Sequence, residues 1–174
     1  IQSQATNLVP GDTNVREDIF VHDRQTGVTE RVSVDSSGNE ADAKSIDPAI
    51  SGDGRYVAFT SFATNMVPGD TNGLQDVFVH DRQTGVTTRV SVDSSGNQGN
   101  NLSEFPSISA DDRYVAFEST ANNLVLGDTN GFRDVFVHDL QTGATERVSV
   151  DSSGTQGNHN SSTASIAARI VRPR

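Results

Sequence analysis

Cysteine and tryptophan are both absent from this 174-residue sequence. Without cysteine there is no disulfide framework and no thiolate to act as nucleophile or metal ligand. No run of about 18 apolar residues occurs, which excludes a membrane-spanning helix. Positive charge is scarce: 13 Lys and Arg face 23 Asp and Glu, for a net charge of −10 and a pI near 4.6. Such a balance leaves no electrostatic footprint for nucleic acid or an anionic membrane, so cationic partners, metal ions included, are the better match. Apolar content is also low, at 33%. A chain of that kind exposes long polar loops or relies on many small β elements that pack regularly. Helical periodicity is missing throughout, as are the Gly-x-Ser-x-Gly elbow of a serine nucleophile and a phosphate-binding glycine loop. The chain starts at Ile1 rather than Met and shows no signal peptide, which suggests a processed or excised segment. A secreted or periplasmic setting is the expectation, and the acidic, cysteine-free composition is compatible with it.

What is present is a repeat. The stretch Gly69-Asp-Thr-Asn-Gly-Leu-Gln-Asp-Val-Phe-Val-His-Asp-Arg-Gln-Thr-Gly85 has copies opening at Gly11 and Gly127, 58 residues away on either side. A fixed period of this length marks units that need their neighbours to bury an apolar face. The single domain 1–174 divides into units 1–47, 48–105 and 106–163 and a partial closing unit 164–174. Each complete unit reads as four short strands: a (Pro48 to Ser51), b (Arg55 to Ser61), c (Asp76 to Asp81) and d (Thr87 to Val92). An Asp-Gly turn at Asp53-Gly54 joins a to b, and a Thr-Gly turn at Thr84-Gly85 joins c to d. The third unit repeats the set at Pro106 to Ser109, Arg113 to Ser119, Asp134 to Asp139 and Thr145 to Val150. In b and c both faces are largely apolar, as in strands covered on both sides. In d, Val90 and Val92 share one face while Arg89 and Ser91 take the other, as an outer, half-exposed strand should. The predicted fold is all-β, a β-propeller of four-stranded antiparallel blades with three blade-equivalents per chain.

The segment Pro106-Ser-Ile-Ser-Ala-Asp-Asp-Arg-Tyr-Val-Ala-Phe-Glu-Ser119, followed by Asp134-Val-Phe-Val-His-Asp139 and a Thr-Gly turn, resembles the TolB-like propeller repeat over nearly the whole chain. That resemblance implies a scaffold found both in protein-binding modules and in enzymes whose catalytic domain lies elsewhere. Two departures stand out. The Asp-Gly turn becomes Asp111-Asp112 in the third unit, and the 58-residue period exceeds that of compact blades, so the surplus falls in the loops.

The repeat is also out of frame, reading cd, abcd, abcd, ab, because Ile1 occupies the place of Phe59 and Ser165 to Val171 resembles the opening of another unit. Three blades fall short of the ~4 that close a propeller. Two chains forming one six-bladed ring is therefore the expected assembly, with a piece of a longer propeller chain as the other possibility.

Strand alternation puts the b–c and d–a loops on one face, where binding residues concentrate. There Asp70, Asn72 and Asp76 follow the spacing Asp-x-Asn-Gly-x-x-Asp, as do Asp128, Asn130 and Asp134; the first copy has Asp12, Asn14 and Asp18 with Val15 in place of Gly. Hard oxygen ligands at alternating positions suit calcium, although Pro10, Pro68 and Leu126 stand where a first ligand belongs. The same residues also suit simple Asx-turns leading into strand c. His22, His80 and His138 recur on the Phe face of strand c, one per blade, and are expected to be packed interblade histidines rather than one shared site. His159 stands alone, and Asp35-Ser-Ser-Gly38 with its copies at Asp93 and Asp151 reads as a turn. The functional expectation is a non-catalytic binding or scaffold module acting through its long-loop face. A multivalent, lectin-like carbohydrate binder is the alternative, weakened by the lack of Trp. An accessory propeller of a larger hydrolase is a third.

Overall fold

The computed structural model describes residues 1–167, in which eleven strands form three antiparallel sheets and no helix occurs. The first sheet has the order β1 (Gln2–Ser3), β2 (Asp18–His22), β3 (Thr29–Arg31). The second runs β4 (Ser45–Ile50), β5 (Tyr56–Ser61), β6 (Asp76–Asp81), β7 (Val86–Arg89), and the third β8 (Ser103–Ile108), β9 (Tyr114–Ser119), β10 (Asp134–Asp139), β11 (Thr145–Arg147). Sequential strands pair in order within each sheet, so the expected four-stranded blades hold, and the fold is propeller-type. The offset frame holds at the N-terminus as well. Gln2 pairs with Ile19 as Thr60 pairs with Val77, which places Ile1 at the position of Phe59. Of the expected closing segment Ser165 to Val171, residues 168–174 lie outside the described residues, and 161–167 carry no assigned strand.

The a and d strands differ from the sequence reading. Strand a begins at Ser45 and Ser103 and carries a bulge, with register shifts between Ile46 and Ala49 and between Glu104 and Ser107. Asp47 and Phe105 adopt positive φ there, at 53° and 55°, and Pro48 and Pro106 follow. A bulge tolerates proline because the missing N–H removes no ladder bond. Strand d stops early, at Arg89 and Arg147, and beyond it Val92 and Val150 make single bridges to Gln98 and Gln156. The assignment of Arg89 and Ser91 to a wet face is also corrected. Ser91 is fully buried and the Arg89 side chain is 9% exposed, because both point at the long-loop residues that lie over the end of the blade.

Between blades the packing is apolar and directional. Val57, Phe59 and Phe78 of the second blade face Ile19 and Val32 of the first. Val77, Val79 and Val90, on its opposite face, meet Val115, Phe117 and Phe136 of the third. The middle blade is therefore buried on both faces, which is why β5 and β6 read as continuous apolar runs. Phe59–Phe78 and Phe117–Phe136 stack at 6.1 and 5.9 Å, adding aromatic contact to the buried area.

Polar latches complete the interfaces. The Thr87 hydroxyl donates to the Val34 carbonyl of the preceding blade at 2.5 Å and accepts from His80 Nδ1 at 2.9 Å. Thr145, Val92 and His138 repeat the arrangement at 2.6 and 2.9 Å. Because the threonine proton is committed to the carbonyl, Nδ1 must carry the imidazole proton. Burial lowers the pKa of both histidines below the usual value, so they stay neutral. The interblade role expected for them holds for His80 and His138, whereas His22, with no blade before it in the described chain, is exposed.

Candidate functional site

The b–c and d–a loops do share one face, and each expected Asp/Asn triplet lies where they meet. Asn72 organises the second copy. Its Oδ1 accepts the Leu74 N–H at 2.8 Å, an Asx-turn, while its Nδ2 donates to the Gly99 carbonyl at 3.0 Å, tying the b–c loop to the d–a loop. Asn14 and Asn130 do the same, with Ala41 and Gly157 as the carbonyls, at 3.0 and 2.9 Å. The turn requires a left-handed residue next, supplied by Gly73 (φ 63°) and Gly131 (φ 70°) but by Val15 (φ 54°) in the first copy.

The carboxylates converge on an arginine from strand d. Arg89 Nη1 lies 3.6 Å from Asp70 and 3.4 Å from Asp76. Arg147 Nη1 lies 3.2 Å from Asp128 and 3.7 Å from Asp134, and Arg31 Nη1 lies 3.6 Å from Asp12 and 3.7 Å from Asp18. The last aspartate of each set also accepts a hydroxyl: Ser91 to Asp76 at 2.5 Å, Ser149 to Asp134 at 2.5 Å and Ser33 to Asp18 at 2.6 Å. In the second copy Gln98 Nε2 adds bonds to Asp70 and Asp76, at 3.0 and 3.2 Å. In the first copy Glu40 stands at that position, 2.6 Å from Arg31 Nη1, and accepts from the Thr13 N–H and hydroxyl at 2.9 and 2.6 Å. Asp12, Asp18 and Glu40 thus form a three-carboxylate group whose oxygens could reach one cation, with Arg31 already among them.

Charge within these knots is tuned by burial. Desolvation pushes Asp76 and Asp18 above the ordinary carboxylate value, against the bonds from Ser91 and Ser33 and the charges of Arg89 and Arg31. Desolvation also acts on Glu40, but the bonds from Thr13, the Asn14 N–H and the Arg31 charge overcome it and lower its pKa to about 2. Each knot is a charge-paired clasp that ties two loops to the end of a blade. The sequence reading found the Asp and Asn members. It missed Arg31, Arg89 and Arg147, the serines two residues on, and Glu40 and Gln98. The signal was present in the repeated Arg-Val-Ser, since residues i and i+2 of a strand share a face.

The exposed parts of the same face are the positions where the copies differ. Arg16, Leu74 and Phe132 occupy one tip position, and Pro10, Pro68 and Leu126 another. Leu126 is fully exposed, and Phe132, 37% exposed, lies 5.3 Å from the His159 ring, so His159 does not stand alone. Asp35, Asp93 and Asp151 build the expected turns, accepting the backbone N–H groups of Ser37, Ser95 and Ser153 at 2.8 Å.

No family model matches the chain, and no curated protein matches it. Among solved structures it is similar to a putative TolB from Agrobacterium tumefaciens, at 20% identity over 78% of this chain and 42% of that one, with a TM-score of 0.48. It is similar to TolB from Acinetobacter baumannii at 20% identity over 84% of this chain and 29% of that one, TM-score 0.49. The tricorn protease matches at 14% identity over 79% of this chain and 11% of that one, TM-score 0.47. The chain spans under half the length of either TolB structure. The propeller-type fold itself rests on the strand order and interblade packing described above.

Proposed function

We propose that this chain is a non-catalytic propeller module that binds a protein ligand through the variable tips of its long-loop face. The carrying observation is the division of labour on that face. The repeated acidic and amide groups are consumed in arginine-centred knots, while Leu74, Leu126 and Phe132 project at positions that change from copy to copy. Apolar and aromatic side chains held on a rigid frame suit a peptide or protein surface. In this reading the guanidinium supplies the positive charge for which the spacing of Asp70, Asn72 and Asp76 suggested calcium. An extracytoplasmic setting belongs to the same proposal, resting on the acidic, cysteine-free composition.

The test is parallel screening of the intact protein against a peptide-display library and a glycan array. Peptide ligands whose binding falls at least tenfold with Leu126→Asp or Phe132→Asp support the proposal, the size expected for a buried apolar anchor. Repeated capture of one sugar, with no peptide selected, would replace it with the lectin reading.

A further inference from the structure

We propose that the cleft between the second and third blades, at their short-turn end, binds a small neutral aromatic ring carrying one O–H or N–H donor, as phenols and indoles do. This end is opposite to the long loops, so the inference stands apart from the protein-binding reading. It comes from comparing two interblade junctions that share one plan and differ at two positions.

At the first junction the space is filled. Arg82 reaches from the second blade to pair with Glu30 of the first at 2.5 Å, and its Nη1 donates to the Gly54 carbonyl. Both charges lie near enough to His80 to act on its ring. At the second junction Thr88 stands in place of Glu30 and Leu140 in place of Arg82, 58 residues on in each case. No ion pair crosses there. Thr88 and Leu140 instead line a cavity of about 310 Å³, at the lower end of the ~300–1,000 Å³ usual for small-molecule sites.

The walls define the chemistry. Val79, Val86 and Leu140 give an aliphatic lining, and the Tyr56 ring, under the Arg55 guanidinium at 4.7 Å, gives a flat one. Asp81 also borders the cavity, but Arg55 balances its charge through bonds of 2.9 and 2.7 Å. The lining therefore suits a neutral ligand. His138, 7% exposed, lines the same cavity, and its Nδ1–H is committed to Thr145 at 2.9 Å. Its Nε2 is then a bare acceptor, with no hydrogen-bond partner among the described residues. A buried acceptor of this kind is destabilising until a donor reaches it.

A flat ring with a single donor fits this set. The guanidinium and carboxylate that fill the first junction are themselves planar groups, and an aromatic ring can stack on Tyr56 while its O–H or N–H donates to His138 Nε2. A sugar fits less well. It carries hydroxyls on nearly every carbon and would turn most of them toward Val79, Val86 and Leu140, where nothing receives them.

Titration of the intact protein with p-cresol and with indole, followed by nitrogen NMR of the histidine rings, tests the inference. Saturable binding is expected with a Kd on the order of 1 mM or tighter, given so few ligand atoms, and the His138 Nε2 resonance should move while that of His80 stays. Binding by only one of the two rings identifies the donor as O–H or N–H. Toluene, which lacks the donor, should bind at least about tenfold more weakly than p-cresol. Thr88→Glu combined with Leu140→Arg rebuilds in the second junction the ion pair that the first already packs, and should weaken p-cresol binding at least about tenfold. Absence of saturable binding by either ring, or binding that leaves the His138 resonance unmoved, overturns the proposal whether or not the double variant folds. Undiminished binding by a folded double variant overturns the assigned cavity. Equal binding of toluene, or tighter binding of glucose, overturns the assigned ligand class.

Discussion

The first knot and its two later copies solve the same burial problem with different charge. In the second, Gln98 donates to both Asp70 and Asp76, so an amide adds hydrogen bonds to the two carboxylates that lie beside Arg89. In the first, Glu40 cannot donate. It takes its own bonds from Thr13 and Arg31, and Asp12 Oδ1 is left buried without a hydrogen-bond partner, 3.6 Å from Arg31 Nη1. The glutamine copy is thus balanced by hydrogen bonds and the glutamate copy by charge. An arginine at the centre is common to both, and so is the asparagine that ties the two loops. Position Val15 adds a second contrast, because the first copy holds a β-branched residue in a left-handed turn that glycine occupies in the others.

The largest effect should come from removing the arginine. Arg89→Met leaves Asp70 and Asp76 buried without their counter-charge and is expected to cost about 3 kcal/mol in urea denaturation at neutral pH. Arg31→Met should cost more, about 4 kcal/mol, because three carboxylates then face one another. Equal losses at the two sites would break the distinction between charge balance and hydrogen-bond balance. Glu40→Gln turns the first knot into a likeness of the second and should cost about 1 kcal/mol at neutral pH, the worth of charge-assisted bonds less those that the amide regains. Its pH dependence sharpens the comparison. A carboxylate lowered to about 2 from 4.5 stabilises the fold fully above 4.5 and loses that contribution as pH falls toward 2. The difference between variant and parent should therefore shrink over that window. The smallest change should be a gain: Val15→Gly relieves the left-handed β-branched residue and is expected to raise stability by about 1 kcal/mol, offset in part by the unfolded-state entropy of glycine, read as a shift in thermal midpoint.

Blade architecture was legible because period and alternation are properties of the chain itself. The 58-residue interval, the Asp-Gly and Thr-Gly turns and the two-sided apolar runs of β5 and β6 identify strands and their order. Strand a was less legible. Its bulge at Asp47 and Phe105 places non-glycine residues at positive φ, and Pro48 reads as a strand start although it lies within the bulge of a strand that begins at Ser45. The site was half legible. Asp70, Asn72 and Asp76 stand out by spacing, but Arg89 and Ser91 fall in a stretch that alternation reads as an outer strand with these residues on the solvent side. Only tertiary placement shows that this face is covered by the loops of its own blade. His80 was read correctly as an interblade residue, while its carbonyl partner, Val34, depends on the stagger between blades, which sequence does not report.

The central proposal is that arginine, rather than a metal ion, supplies the positive charge at all three knots, leaving the loop tips as the binding surface. Isothermal titration of the chelator-treated protein with calcium tests it most directly, with the thermal midpoint followed in parallel. The account predicts no saturable heat and an unchanged midpoint. Saturable binding with a raised midpoint, lost on Asp76→Asn and Asp134→Asn, would contradict it.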